Sequence, residues 1–138
     1  MKKLLIATLA LLSINTFASD CQIPLETENL CAEITWTDGP FINPKGDKKF
    51  STLEVLYFTK GDETKTPVNA SHISAYPWMI MHGMEHGTRP VETKLLESGK
   101  YEVSKIFMRK MMGHWEIRFA PGKDFDPKSD YLAKVIVK

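Results

Sequence analysis

Ser51-Thr52-Leu53-Glu54-Val55-Leu56-Tyr57-Phe58 sets Leu53, Val55 and Tyr57 two residues apart. In an extended chain successive side chains leave opposite faces, so these three share one apolar face of a strand. The same period recurs along the chain. Ala32 to Trp36 reads as a strand, and Ile73 to Met81 as another in which Pro77 marks an edge or a bulge. Tyr101, Val103 and Phe107 alternate with Glu102 and Ser104, and Trp115, Ile117 and Phe119 alternate with Glu116 and Arg118, which are expected to face water. Tyr131, Ala133, Val135 and Val137 close the pattern opposite Lys134 and Lys138. Asp38-Gly39-Pro40 and Asn43-Pro44-Lys45-Gly46 supply turn chemistry between strands, and no segment carries a helical apolar stripe. Short strands at near-regular spacing predict an all-β fold, a single antiparallel β-sandwich.

The first residues set the compartment. Lys2 and Lys3 precede the apolar run Leu4 to Leu12, and Thr16-Phe17-Ala18 provides small residues for a signal peptidase, so residues 1–18 read as a cleaved signal peptide. A membrane anchor needs roughly 18 or more apolar residues, and this run ends at Ser13 and Asn15. A lipid anchor on Cys21 is disfavoured, because Asp20 occupies a position that needs a small residue. The expected location is periplasmic or secreted, in a bacterium. Residues 19–138 then form one domain of ordinary size, able to bury a core. Loss of Lys2 and Lys3 leaves 16 basic against 17 acidic side chains, a balance that speaks against nucleic acid as a partner. Cys21 and Cys31, ten apart in an oxidising compartment, are expected to form a structural disulfide.

Chemistry concentrates between Met79 and Trp115, where Met79, Met81, His82, Met84 and His86 are followed by Met108, Met111, Met112 and His114. Thioether and imidazole together make a soft donor set, which selects Cu(I) over cations that prefer carboxylates. Imidazole alone also suits zinc or Cu(II), and these rank behind Cu(I). Methionine is a common core filler, and for Met79, Met108 and Met111 packing weighs at least as much as ligation. If Trp78 and Ile80 enter the core, Met79 and Met81 leave by the other face. His82, Met84 and His86 then follow in a glycine-punctuated loop, and the group around Met111 and Met112 reads as a hairpin connection. Trp78 and Trp115 are both expected in the core. No nucleophile with a plausible base accompanies these groups, and a blue-copper centre lacks its cysteine thiolate, so the expectation is a protein that is not an enzyme.

Met81-His82-Gly83-Met84-Glu85-His86-Gly87, Ser98-Gly99-Lys100-Tyr101-Glu102 and Met111-Met112-Gly113-His114-Trp115-Glu116-Ile117 together resemble the YtkA-like/FixH-like family of small exported bacterial domains. The resemblance implies an immunoglobulin-like sandwich and a role in copper handling or in assembly of respiratory oxidases. By position it carries the family's Met/His-rich segment onto His82, Met84 and His86, and the methionine before Gly-x-Trp onto Met112. His114 departs from the family pattern, which more often has a small residue or proline there. The metal candidates are thus His82, Met84, His86 and Met112, with Met81 and His114 beside them. The expected function is to hold Cu(I) or deliver it to a metal-accepting partner protein, for oxidase assembly or copper tolerance. The rival expectation is a metal-independent interaction module that presents a Met-rich surface.

Overall fold

The structure, a computed structural model, describes residues 20–138; the expected signal peptide, residues 1–18, lies outside the described residues. Eleven strands follow in order: β1 (Ile23–Leu25), β2 (Leu30–Asp38), β3 (Ile42–Asn43), β4 (Ser51–Thr59), β5 (Ile73–Met81), β6 (Met84–Gly87), β7 (Glu92–Glu97), β8 (Lys100–Ile106), β9 (Met108–Arg109), β10 (His114–Pro121) and β11 (Ala133–Ile136). They pair as β1-β2-β4-β8-β7 in one antiparallel sheet and β11-β10-β5-β6 in a second. These two sheets pack as a β-sandwich, and β3 with β9 adds a short parallel ladder. Among the described residues no helix is long and apolar enough to cross a membrane.

Period-two alternation explains most of the core. Leu53, Val55 and Tyr57 of β4 are buried, as are Tyr101 and Val103 of β8 and Trp115, Ile117 and Phe119 of β10. Tyr57 meets Tyr101 and Phe119 edge to face, at centroid distances of 5.7 and 6.3 Å, so the two sheets lock through aromatic rings. Along β8 the alternation breaks at Lys105, which takes a φ of +58°. Past that bulge Ile106 and Met108 turn inward while Phe107 swings out, so Phe107 leaves the face it was expected to share with Tyr101 and Val103.

Strand β5 shows the largest difference from its expected orientation. Its buried inward row is Ile73, Ala75 and Met79, continued by Met81 at the core margin. Trp78 and Ile80 therefore occupy the outward face, the reverse of the sequence expectation. The cause lies on neighbouring strands. Trp78 sits opposite Gly87 of β6, and a Cβ at Gly87 would come within 2.9 Å of the Trp78 ring. The missing side chain leaves a slot for the indole on the outer face. Arg118 covers the indole as well, with its guanidinium carbon 5.3 Å from the ring centroid. Pro77 pairs with Ile117 on one side only, because β6 pairs with β5 from Trp78 to Met81, so the proline does mark an open edge.

The same outer face hides a second difference. Glu116 and Arg118, expected to face water, are 1% and 2% exposed. The segment 122–132 passes over them: Arg118 donates from Nη1 to the Pro127 carbonyl at 2.8 Å, and Tyr76 donates its hydroxyl to the same oxygen. Tyr131 stacks on the guanidinium at 4.2 Å and Phe125 packs against Tyr76. On β10 alternation puts Glu116 and Arg118 on the outer face, but the segment that follows the strand decides that this face is dry.

The expected disulfide between Cys21 and Cys31 is formed, with Cα atoms 5.7 Å apart, and it ties the chain ahead of β1 to β2. Closing so short a loop contributes about 2–3 kcal/mol through the unfolded state. Urea unfolding of a Cys21→Ala/Cys31→Ala variant at neutral pH is expected to show a loss of that size. A loss below about 0.5 kcal/mol would mean that the pairing of β1 with β2 holds the arm without it.

Candidate metal-binding site

The stretch His82 to His86 is a β-hairpin and not a loop. His82 and Gly83 form the turn, with Gly83 at a φ of +70°, and Met84–Gly87 returns along β5. In this register Met84 lies directly opposite Met81, and His86 directly opposite Met79. Opposed residues of an antiparallel pair leave the same face with Cβ atoms about 4.5–5.5 Å apart. Met81, Met84 and His86 therefore share one face of the hairpin, with His82 at its tip. Because β6 is an edge strand and short, Met84 stays 57% exposed, whereas Met79 lies in the core at 0%.

His86 is presented with one nitrogen engaged. Its Nδ1 lies 2.8 Å from the Gly87 carbonyl oxygen, which can only accept, so Nδ1 is the donor in this bond and Nε2 is the ring nitrogen left to face a ligand. Such a carbonyl bond is the usual device that fixes the tautomer of a ligating imidazole.

The second Met/His group arrives from the other sheet. β8 belongs to the five-stranded sheet and β10 to the four-stranded one, so Met108 to Gly113 crosses between sheets and does not close a hairpin. Gly113 seats this crossing against β5. Its φ is +128°, and a Cβ there would lie 2.0 Å from the Ile80 carbonyl oxygen and 3.2 Å from the Met81 Cα. That contact brings Met112, 87% exposed, to the end of the sheet that carries Met81, His82 and Met84. Met111 is also exposed, at 38%, and Met108 is buried. An open depression lined by Met81, Gly83, Met84, Glu85 and Lys128 runs beside the hairpin tip.

His114 goes elsewhere. It pairs with Ile80 on the outward face, and its Nε2 lies 3.1 Å from Glu116 Oε1, so it joins the buried Glu116 and Arg118 pair. Arg118 donates from Nε to Glu116 Oε2 at 2.9 Å, and Lys134 lies 3.2 Å from Oε1. Burial alone would raise the Glu116 pKa, but hydrogen bonds from His114, Arg118 and Lys134 outweigh it and hold the carboxyl below its ordinary value of 4.5. Of the six candidate ligands, the fold gathers Met81, His82, Met84, His86 and Met112 at one end and commits His114 to a carboxylate on the opposite face. Among the described residues no group of three or more His, Cys, Asp or Glu side chains converges.

One residue that organises this end gave no signal of it in the sequence. Asn43, within a stretch read only as turn chemistry, is buried and donates from Nδ2 to the Lys49 and Met108 carbonyls while its Oδ1 accepts from the Lys49 amide. Met108 is 65 residues away, beyond the reach of any local pattern.

The fold and this site define a small disulfide-tied β-sandwich domain with a soft-donor hairpin at one end. The chain belongs to the YtkA-like family, which it matches over residues 37–120. That span holds every Met and His of the candidate site and leaves out both cysteines and β11. Neither a curated protein nor a solved structure matches the chain significantly.

Proposed function

We propose that this is an exported copper-handling protein that holds Cu(I) on Met84, His82, His86 and Met112, with Met81 behind them, and passes it to a partner protein. The observation that carries this reading is the placement of Met84 opposite Met81 on the hairpin, with the exposed Met112 brought to the same end by Gly113, its chain neighbour. Thioethers bind Cu(I) without deprotonation and exchange readily, which suits an ion that must be held and then released. Exposure of Met84 and Met112 leaves their sulfurs accessible to an incoming acceptor. His86, whose Nδ1 is engaged by the Gly87 carbonyl, offers Nε2 as a stronger donor. Delivery needs no catalytic group, and oxidase assembly or copper tolerance are the settings that fit such a carrier.

Titration of the reduced protein with Cu(I) against a competing chelator is expected to show one tight equivalent. A combined His82→Ala, Met84→Ala, His86→Ala variant is expected to lose about a hundredfold in affinity or more, some 2.7 kcal/mol. Met79→Leu, in the core, is expected to leave affinity unchanged. Equal affinity of the triple variant and the parent would overturn the metal reading. Exposed methionines also suit an adaptable protein interface, and partner binding that needs Met84 and Met112 without copper is what the interaction-module reading expects.

A further inference from the structure

Near the crossing segment, two aromatic rings and several cations line a groove. Phe50, 45% exposed, and Phe107 stand with centroids 5.8 Å apart, and Lys48, Arg89 and Arg109 surround them. Arg109 lies over the Phe107 ring at 5.7 Å. A second depression continues past Arg89 to Pro90 and Lys105, with Asp38 at its far side. Among the described residues Lys105 is paired with Glu92, but no carboxylate lies within 4.0 Å of the charged nitrogens of Lys48, Arg89 or Arg109. Basic residues are locally concentrated here on a nearly neutral chain: residues 103–114 include Lys105, Arg109 and Lys110 and no acidic residue.

The groove is also held in shape. The Asn43 side chain ties the segment leading to Lys48 and Phe50 onto Met108, and the Asn43 carbonyl accepts from the Lys110 amide at 2.7 Å. The backbones that carry Lys48, Phe50, Phe107 and Arg109 therefore meet at one buried residue, and little backbone freedom in these two segments remains to be lost on binding. Unpaired guanidinium groups flanking one exposed ring and one half-buried ring suit a ligand that carries carboxylates on either side of an aromatic side chain. Arginine takes carboxylates in bidentate fashion, and exposed rings take an aromatic in offset or edge contact.

We propose that this groove docks an acidic segment of a partner protein, with its carboxylates on Arg89 and Arg109 and an aromatic side chain against Phe50 and Phe107. The groove includes Arg109, three residues before Met112, so a partner seated there engages the segment that carries one of the proposed copper ligands. The docking itself does not depend on copper. It is tested on metal-free protein with a labelled, end-blocked hexapeptide of alternating glutamate and phenylalanine.

Saturable binding is expected, weakened about tenfold or more between about 0.05 M and 0.3 M salt. The charge-reversed Arg89→Glu/Arg109→Glu variant and, separately, Phe50→Ser are each expected to lose about tenfold in peptide affinity. Both arginines and Phe50 are exposed, so melting temperatures are expected to stay within a few degrees of the parent. Unchanged Cu(I) affinity in these variants separates the fate of this proposal from that of the copper reading. Absence of saturable binding, or equal affinity in the charge-reversed variant, would overturn the proposal. Displacement of the peptide by inorganic phosphate or by phosphatidylglycerol vesicles, with Phe50→Ser unaltered, would also overturn it by showing a general anion surface.

Discussion

Arg118→Met is expected to destabilise the protein by about 3–5 kcal/mol, lowering the melting temperature by roughly 10–20 °C. The guanidinium side chain is 3% exposed and the Glu116 side chain 2%. Removing the cation strips Oε2 of its buried donor and leaves the carboxylate with only His114 and the half-exposed Lys134, both on Oε1, and an undercompensated buried charge is among the costliest single defects. The same change frees the Pro127 carbonyl and takes away the plane on which Tyr131 and Trp78 stack, so the segment 122–132 loses its main anchor. Urea unfolding at pH 7 measures the loss. A value under about 1 kcal/mol would show that water replaces the guanidinium and that the overlying segment is held by other contacts. The double variant Arg118→Met/Glu116→Met is expected to recover much of the stability, because it removes the stranded charge along with its partner.

Acid unfolding reports on the same pair. The Glu116 carboxyl titrates below 4.5 in the folded chain, so between that lower value and 4.5 the unfolded chain binds a proton that the folded chain refuses. Stability from this group is complete above about pH 4.5 and is lost as the pH falls through the folded value. In Arg118→Met one of the hydrogen bonds that lower the pKa is gone, and the acid limb of the stability curve is expected to move to higher pH.

Gly113→Ala is expected to cost about 3 kcal/mol or more and to weaken Cu(I) binding about tenfold. A φ of +128° is closed to residues with a Cβ, a strain of roughly 1–3 kcal/mol, and the new methyl group would sit 2.0 Å from the Ile80 carbonyl oxygen. Something must move, and both groups in contact are backbone. The displacement falls on the first pair between β5 and β10, His114 with Ile80, and on the seat of the Met112 segment beside the hairpin tip. Thermal unfolding and chelator competition on the same sample separate the two effects. Gly83→Ala is the contrasting variant, since its position has a positive φ but open space around the added Cβ, and it is expected to cost about 1 kcal/mol. Comparable stability in Gly113→Ala and Gly83→Ala would show that the crossing segment does not pack closely on β5.

Local pattern made much of this protein readable. Leu53, Val55 and Tyr57 on one face of β4, and Trp115, Ile117 and Phe119 on one face of β10, follow from a period of two, and the paired cysteines follow from their number and closeness. The softness of the Met/His donors is likewise a property of the residues themselves. β7 left no such trace. Glu92–Glu97 is exposed along its whole length at the sheet edge, and a strand that buries no face shows no alternation. The candidate site was visible as a composition and not as an arrangement. Its hairpin was hidden because Met84 and His86 acquire strand geometry from pairing with β5, not from any propensity of Met-Glu-His-Gly.

By itself, then, the sequence determined an all-β chain, a disulfide and a soft-donor cluster, because each of these depends on residue type and near spacing. Tertiary structure alone decided which side chains share a face and which faces stay dry. On β5 both faces carry large apolar side chains, so alternation cannot choose between Trp78 and Met79. The choice came from Gly87, which opens a slot for the indole on the outer face, and from residues 122–132, which roof over Glu116 and Arg118. His114 shares that roofed face with Glu116, two residues on along β10, while Gly113 brought Met112 to the end that carries Met81 and Met84. Gly113 meets Ile80, and Pro127 meets Tyr76 across 51 residues, contacts that only a folded backbone brings within reach.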